Sequence, residues 1–383
     1  MSLLTLFQLD LGSAVVAPST SAITTSGTVS ATVFNTEKLT ASAFRRARVP
    51  TYKITREHTF IARQQLYLKL SELAAEGVPL WAIDTQILPI YQGSAQVPCP
   101  AGTVDVMNLN LRTLQILGGT SSSDSGGTAA NAFDQDVSTA CTQTAPNGSI
   151  ELLFTSPTNV TNFGLLPNTS GTWNYAVQAS LDGVTWTSVY TASAQSVVAG
   201  QWQWFDIDSI TNTTIANLLS NALAMRVLAS GGTTLDVIEV VFANTPQEVP
   251  MGPINRDIYR NTNNRVFQGR PTQFYFDKRF ATPILSIWPA PDSPSTFRQL
   301  MLTRHRQIQD VGTAAQIVEI PQRWYNAIID STAWMVAREC DIVDPEMIPQ
   351  LETWAQQSLA KAWASENDNS ATYISPDISY YTA

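Results

Sequence analysis

Between Gly118 and Asn244 the chain changes character, and the change dictates one domain inserted into another. That stretch holds one Arg and no Lys against seven Asp and two Glu, a net charge of −8, while the whole 383-residue chain carries −9. The flanking segments hold 21 basic and 22 acidic residues and are close to neutral. A self-contained acidic module therefore interrupts a body whose two halves must meet in space. This length supports two or three domains, each burying its own core. Only 14% of residues are charged. That balance suits a β-rich protein with large contacts between subunits and fits a disordered chain poorly.

The body reads as helices flanking strands. Residues 1–34, rich in Ser, Thr, Ala and Val, form an extended arm. Asn35 caps a helix through Val49, with Arg45, Arg46 and Arg48 on its exposed side, and Pro50 ends it. Thr55 starts a second helix to Glu76. Its apolar positions Phe60, Tyr67, Leu70 and Ala74, beside Leu66 and Leu73, recur at helical spacing, and Gly77 with Pro79 stops it. Short antiparallel strands follow as far as Thr113. After the insert, 272–276, 284–288 and 297–308 read as strands. Pro321 opens a helix with Trp324, Ile328, Ser331 and Met335 on one face. Leu351, Ala355, Leu359 and Ala362 mark a last helix. The expected class is α+β, a helical and β-strand body with an inserted all-β sandwich. Its parts are the arm 1–34, the body 35–118, the insert 119–245, the body again 246–370, and an extended tail 371–383.

Inside the insert, 120–130 is rich in Gly, Ser and Thr and reads as a flexible lead-in loop. Seven short strands follow at 149–154, 162–166, 175–180, 186–190, 202–206, 224–228 and 236–242, the pattern of a sandwich or barrel. Asp182-Gly183 is the dipeptide favoured in a type I′ hairpin turn. The insert resembles the discoidin, or coagulation-factor type C, family of galactose-binding-like jelly rolls. Four stretches carry the likeness in order: Ala132-Phe133-Asp134 with Asp136 and Thr139; 150–154; Ser180 to Trp186; and 225–228 with 235–240. The resemblance implies a jelly roll that binds sugars or lipid head groups through loops at one end. Trp173, Tyr175, Trp202 and Trp204 then have two readings, as a stacking face for a sugar or as core. Trp202 and Trp204 lie two apart on one strand face, which favours core for them. Trp173 and Tyr175 are the candidate glycan-facing pair.

The body resembles the head-to-tail adaptor proteins of short-tailed bacteriophages. The ordered stretches are Ala43 to Ala47, Leu70 to Ile83, Gly102 to Val106 with Arg112-Thr113, Gly269 to Tyr275, Ile287 to Pro291, and Ile320 to Trp324. The resemblance implies a ring of twelve copies under the portal protein, joining the DNA-filled head to the tail nozzle protein. It implies a virion location after assembly in the bacterial cytoplasm. In that family a C-terminal extension grips the portal, and Tyr373, Ile374, Tyr380 and Tyr381 suit that role. Arg256, Arg260, Arg265, Arg304 and Arg306 are candidates for subunit contacts or for transient, non-specific contact with genomic DNA. A channel that lets DNA slide gains little from strong phosphate contacts, so subunit or portal contacts are the preferred reading. The alternative function is a phage tail or capsid-associated protein whose jelly roll binds host surface glycan.

Catalytic chemistry is not expected. The chain has two histidines, His58 and His305, and no phosphate-cradling loop, dinucleotide fingerprint or metal-ligand spacing. Ser123-Asp124-Ser125-Gly126-Gly127 only superficially resembles a serine-protease nucleophile stretch. Cys99, Cys141 and Cys340, odd in number and without CxxC, argue against a disulfide framework or a zinc site. No cofactor, metal, signal peptide or membrane insertion is expected.

Overall fold

The computed structural model describes residues 33–76, 80–206, 213–262, 264–280, 282–309 and 312–366. Most of the arm, and the tail with Tyr373, Ile374, Tyr380 and Tyr381, lie outside the described residues. Along the chain come helices α1 (Thr36–Arg46) and α2 (Arg56–Glu76), then strands β1 (Ile83–Pro89) and β2 (Thr103–Ile116). The insert supplies β3 (Thr120–Ser123), β4 (Ser149–Thr158), β5 (Asn162–Pro167), β6 (Gly171–Ser180), β7 (Thr187–Val197) and β8 (Gln203–Asp206). It continues with α3 (Thr213–Ser220), β9 (Ala222–Ala229) and β10 (Asp236–Pro250). The body resumes with α4 (Arg256–Asn261), β11 (Gln273–Asp277), β12 (Ile284–Trp288), β13 (Gln299–Arg306), α5 (Tyr325–Glu339) and α6 (Ile348–Ala364). Two compact units result, one from the described parts of 1–67 and 310–367, the other from 68–309.

In the first unit α1, from before the strands, meets α5 and α6, from after them. Asn35 caps α1 as expected, its side chain accepting from the Lys38 N–H at 2.9 Å. Ala43 and Phe44 of α1 pack with Ala333, Val336 and Ala337 of α5 and Leu351 of α6. Arg46 lies on the exposed side, as expected, and from there ion-pairs with buried Asp330 and donates to Asn326 at 3.0 Å. On α2 the buried stripe is Ala62, Leu66, Leu70 and Leu73, while Phe60 is 60% and Tyr67 37% exposed. Several stripes at helical spacing compete on that helix, and the aromatic one faces out. Among the described residues no helix is long and apolar enough to cross a membrane.

The second unit is built on two large antiparallel sheets, with a smaller four-stranded sheet that contains β11 and β12. One large sheet has the order β1-β13-β2-β10-β5-β8, with the short strand Cys141–Thr142 paired to β10; the other has the order β3-β4-β9-β6-β7. All seven expected insert strands form, and alternation puts Ile150, Leu152, Val177, Ala179, Met225 and Val227 into the sandwich core. The lead-in loop is not irregular throughout. Residues 120–123 pair with β4, and Asp124 then accepts from the Ser149 N–H and hydroxyl, the latter at 2.9 Å. Asp182-Gly183 is not a type I′ turn, because only Gly183 has positive φ, +74°. The Asp182 carboxylate instead accepts from the Val184 and Thr185 N–H groups at 2.8 and 2.7 Å, closing a longer loop.

β10 joins insert to body. Its first half, Val237 to Ala243, pairs with β5 in the sandwich, and its second half, Gln247 to Pro250, pairs with β2 in the body. The expected boundary at 245 therefore falls inside a strand. Across the joint Leu114, Leu166, Trp202, Val241 and Phe297 form their own buried cluster. The jelly roll shares a sheet with the body rather than hanging from it.

Candidate functional site

The aromatic residues singled out as glycan-facing are interior. Trp173 is 5% exposed and Tyr175 fully buried, both in the sandwich core, where the Tyr175 hydroxyl bonds to Gln203 Oε1 at 3.1 Å. Positions 173, 175, 177 and 179 share the inward face of β6, so neither ring can meet a sugar. Trp202 and Trp204 stack on each other, ring centroids 4.4 Å apart. They lie on the outer face of their sheet, where the body buries Trp202 and leaves Trp204 half-buried. Trp202 meets the Phe297 ring edge-on at 5.8 Å, and its backbone N–H donates to the Tyr91 hydroxyl at 2.9 Å. Gly164 makes room for this stack, since a Cβ there would stand 2.2 Å from the Trp204 ring.

Of the basic residues, Arg304 is an internal brace, not a contact for a neighbour or for DNA. Its guanidinium donates to both Asp84 oxygens at 2.7 and 3.1 Å, to the Pro100 and Ala101 carbonyls at 3.0 Å, and to Thr103 Oγ1 at 2.7 Å. A buried cation needs such partners, and β13 places it where they converge. Arg306 approaches the same carboxylate at 3.5 Å. Arg256, Arg260 and Arg265 are exposed on and after α4, with Arg265 5.9 Å from the centre of the Tyr259 ring.

A carboxylate pair in the sandwich was not legible as such. Glu239 on β10 is fully buried, and neither side-chain oxygen has a hydrogen bond of good geometry. Burial, reinforced by Asp134, pushes its pKa up to about 8. Asp134 accepts from Thr139 Oγ1 at 2.9 Å. Such a pair is neutralised by a shared proton or by a hard cation. The two carboxylates with the Thr139 hydroxyl supply oxygen donors of the kind calcium prefers. Among the described residues no set of three or more His, Cys, Asp or Glu is arranged to hold a metal.

A cleft of the second unit lies at a seam. As the larger sheet curls, its outer strands β1 and β8 approach each other, leaving a cleft of about 600 Å³. Thr85, Gln86 and Ile87 of β1 form one wall. Val189 and Tyr190 of β7 with Trp204, Phe205 and Asp206 of β8 form the other, over a floor of Phe163 and Val177. Phe205 stacks on Phe163 at 5.5 Å and meets Tyr190 at 4.4 Å. Burial raises the Tyr190 phenol, which stays a neutral donor. Arg112 fixes Asp206 with a 2.9 Å bond while its other two donating nitrogens hold Glu248 at 3.0 and 2.7 Å. The Trp-Phe-Asp run was visible in the sequence as a strand. Its meeting with β1, more than a hundred residues earlier, follows only from the curl of the sheet.

Residues 118–217 match the F5/8 type C domain family. The insert is an F5/8 type C domain. Among solved structures, a chitosan-binding module of a chitosanase/glucanase from Paenibacillus sp. IK-5 is 21% identical, with 34% of this chain and 99% of that one covered and a TM-score of 0.27. A family 32 carbohydrate-binding module of C. perfringens NanJ, in complex with galactose, is 15% identical, with 42% and 100% covered and a TM-score of 0.26. No curated protein matches the chain.

Proposed function

We propose that this chain is a phage tail or capsid-associated protein whose F5/8 type C jelly roll binds host surface glycan while the body serves as a rigid mount. The observation that carries the reading is the F5/8 type C domain itself, set into the body through β10. Discoidin-like modules commonly recognise sugars, and a module sharing a sheet with its support presents its ligand surface in a fixed direction. The virion setting rests on the ordered body stretches that resemble phage adaptors. Binding without turnover is the expected chemistry. The test is retention of the folded full chain on an array of bacterial surface glycans, with hydrolysis products assayed in parallel. Retention on defined glycans without cleavage supports the reading, and no retention on any of them sinks it.

A second reading is a ring-forming adaptor between portal and tail nozzle. It is favoured by the packing of α1, α5 and α6 from opposite ends of the chain into one unit, with the strands between them in sequence. Native mass spectrometry with the portal protein of the same virion separates the two. One chain per portal subunit supports an adaptor; a free monomer or trimer with no portal binding removes it.

A further inference from the structure

We propose that the seam cleft between β1 and β8 is the glycan site, a composite site in which the body supplies one wall. It rests on the glycan-binding reading above and names the site and the ligand class. A sugar ring has an apolar C–H face and a rim of hydroxyls, so its site must place exposed aromatic surface beside planar polar groups. The cleft does this with Tyr190, Phe205 and Trp204 next to Asp206, Gln86 and Thr85.

The two ends of the sandwich serve less well. At one end the loops 143–148, 168–170, 198–201 and 230–235 contain no aromatic residue. Their polar groups are already committed to each other: Asn168 donates to Asp236 at 3.0 Å, and the Gly232 N–H donates to Asn147 at 2.8 Å. At the other end Trp186 is exposed in part, but the Arg226 guanidinium lies over it at 4.2 Å.

The charge of the cleft selects the ligand. Asp206 is the one ionisable acid or base lining it apart from the Tyr190 phenol, and the nearby Arg112 is balanced by two carboxylates. The surrounding insert is strongly acidic. An acidic sugar would be repelled, whereas a neutral sugar or an amino sugar finds a fixed acceptor. That acceptor is held in place before binding, so little ordering is lost when the ligand arrives. A cleft of about 600 Å³ takes a short oligosaccharide end rather than a long chain crossing a flat face.

The experiment uses the full chain and the glycan that the array identifies, titrated by calorimetry and followed by the fluorescence of Trp204 and its neighbours. Tyr190→Ala should weaken binding roughly tenfold or more by removing an aromatic contact. Gln86→Ala, a partly exposed body residue, should weaken it by about threefold or more while leaving the melting temperature in place. If Tyr190→Ala fails to fold, Gln86→Ala decides. Neutral or amino sugars should outrank sialylated and uronic glycans. Wild-type binding with an unchanged Gln86→Ala variant, or a preference for acidic glycans, overturns the cleft while leaving glycan binding intact. A wild-type chain that binds no glycan overturns both.

Discussion

The jelly roll and the body share a sheet but treat charge in opposite ways. Among the described residues of the jelly roll Glu239 is the one buried acidic side chain, and the module's lone arginine, Arg226, lies on the outer sheet face beside Trp186. In the body, Arg112 and Arg304 are buried and each gathers several partners from separate segments. The first region is held by alternation and side-chain volume. The second is held by alternation plus two charged braces, each depending on every partner being present, because an unpaired buried charge costs more than the pair contributes.

The sharpest break in that comparison comes from Arg304→Ala. It strands Asp84 and two carbonyls, and should cost about 3–5 kcal/mol, read as a large loss of denaturant midpoint. Arg226→Ala should cost far less, since its guanidinium is partly exposed on a sheet face. Equal losses for the two would erase the distinction.

Next in size is Trp202→Ala, which empties the joint between the two regions. A buried Trp→Ala change costs about 3–5 kcal/mol, with the low end expected because the stack lies at a rim. The informative readout is the shape of the melt. The jelly roll and the 68–309 part of the body should unfold together in the wild type and separate into two transitions in the variant.

The smallest effect is in pH. Burial and Asp134 raise the Glu239 pKa from 4.5 to about 8. Its contribution is therefore present below the ordinary carboxyl range and lost as pH rises through about 8. Burial lowers the His305 pKa from 6.5 despite the nearby Asp105. Its contribution is complete above the ordinary imidazole range and lost as pH falls below it. Glu239→Gln should flatten the alkaline limb of a melting-temperature profile, and His305→Asn the acid limb. Added calcium should raise the wild-type melting temperature more at pH 8 than at pH 5, and Glu239→Gln should abolish that gain. A calcium effect equal in the variant would remove the cation from the Asp134–Glu239 pair.

The strands of the insert were legible because alternation in 149–154 or 224–228 reports directly which face is buried. The Asn35 cap was legible because its chemistry is local. The inward turn of Trp173 and Tyr175 was not, since a strand with two wet faces and one with a buried face can carry the same aromatics. On α2, Phe60 and Tyr67 suited a core stripe as well as Leu66 and Leu70 did, and only packing chose between them. Glu239 sits in an apolar strand where nothing marks whether it points inward. The cleft depends on β1 meeting β8, a contact created by sheet curl and invisible to any local pattern.

Amide hydrogen exchange along β10 in the intact chain tests most directly whether jelly roll and body are one piece. Amides in 237–243, within the sandwich, and in 247–249, within the body sheet, should be protected together and open in the same cooperative step. Fast, independent exchange of 247–249 and of its partners 111–113, with the sandwich still protected, would mean a tethered module and would contradict the shared sheet.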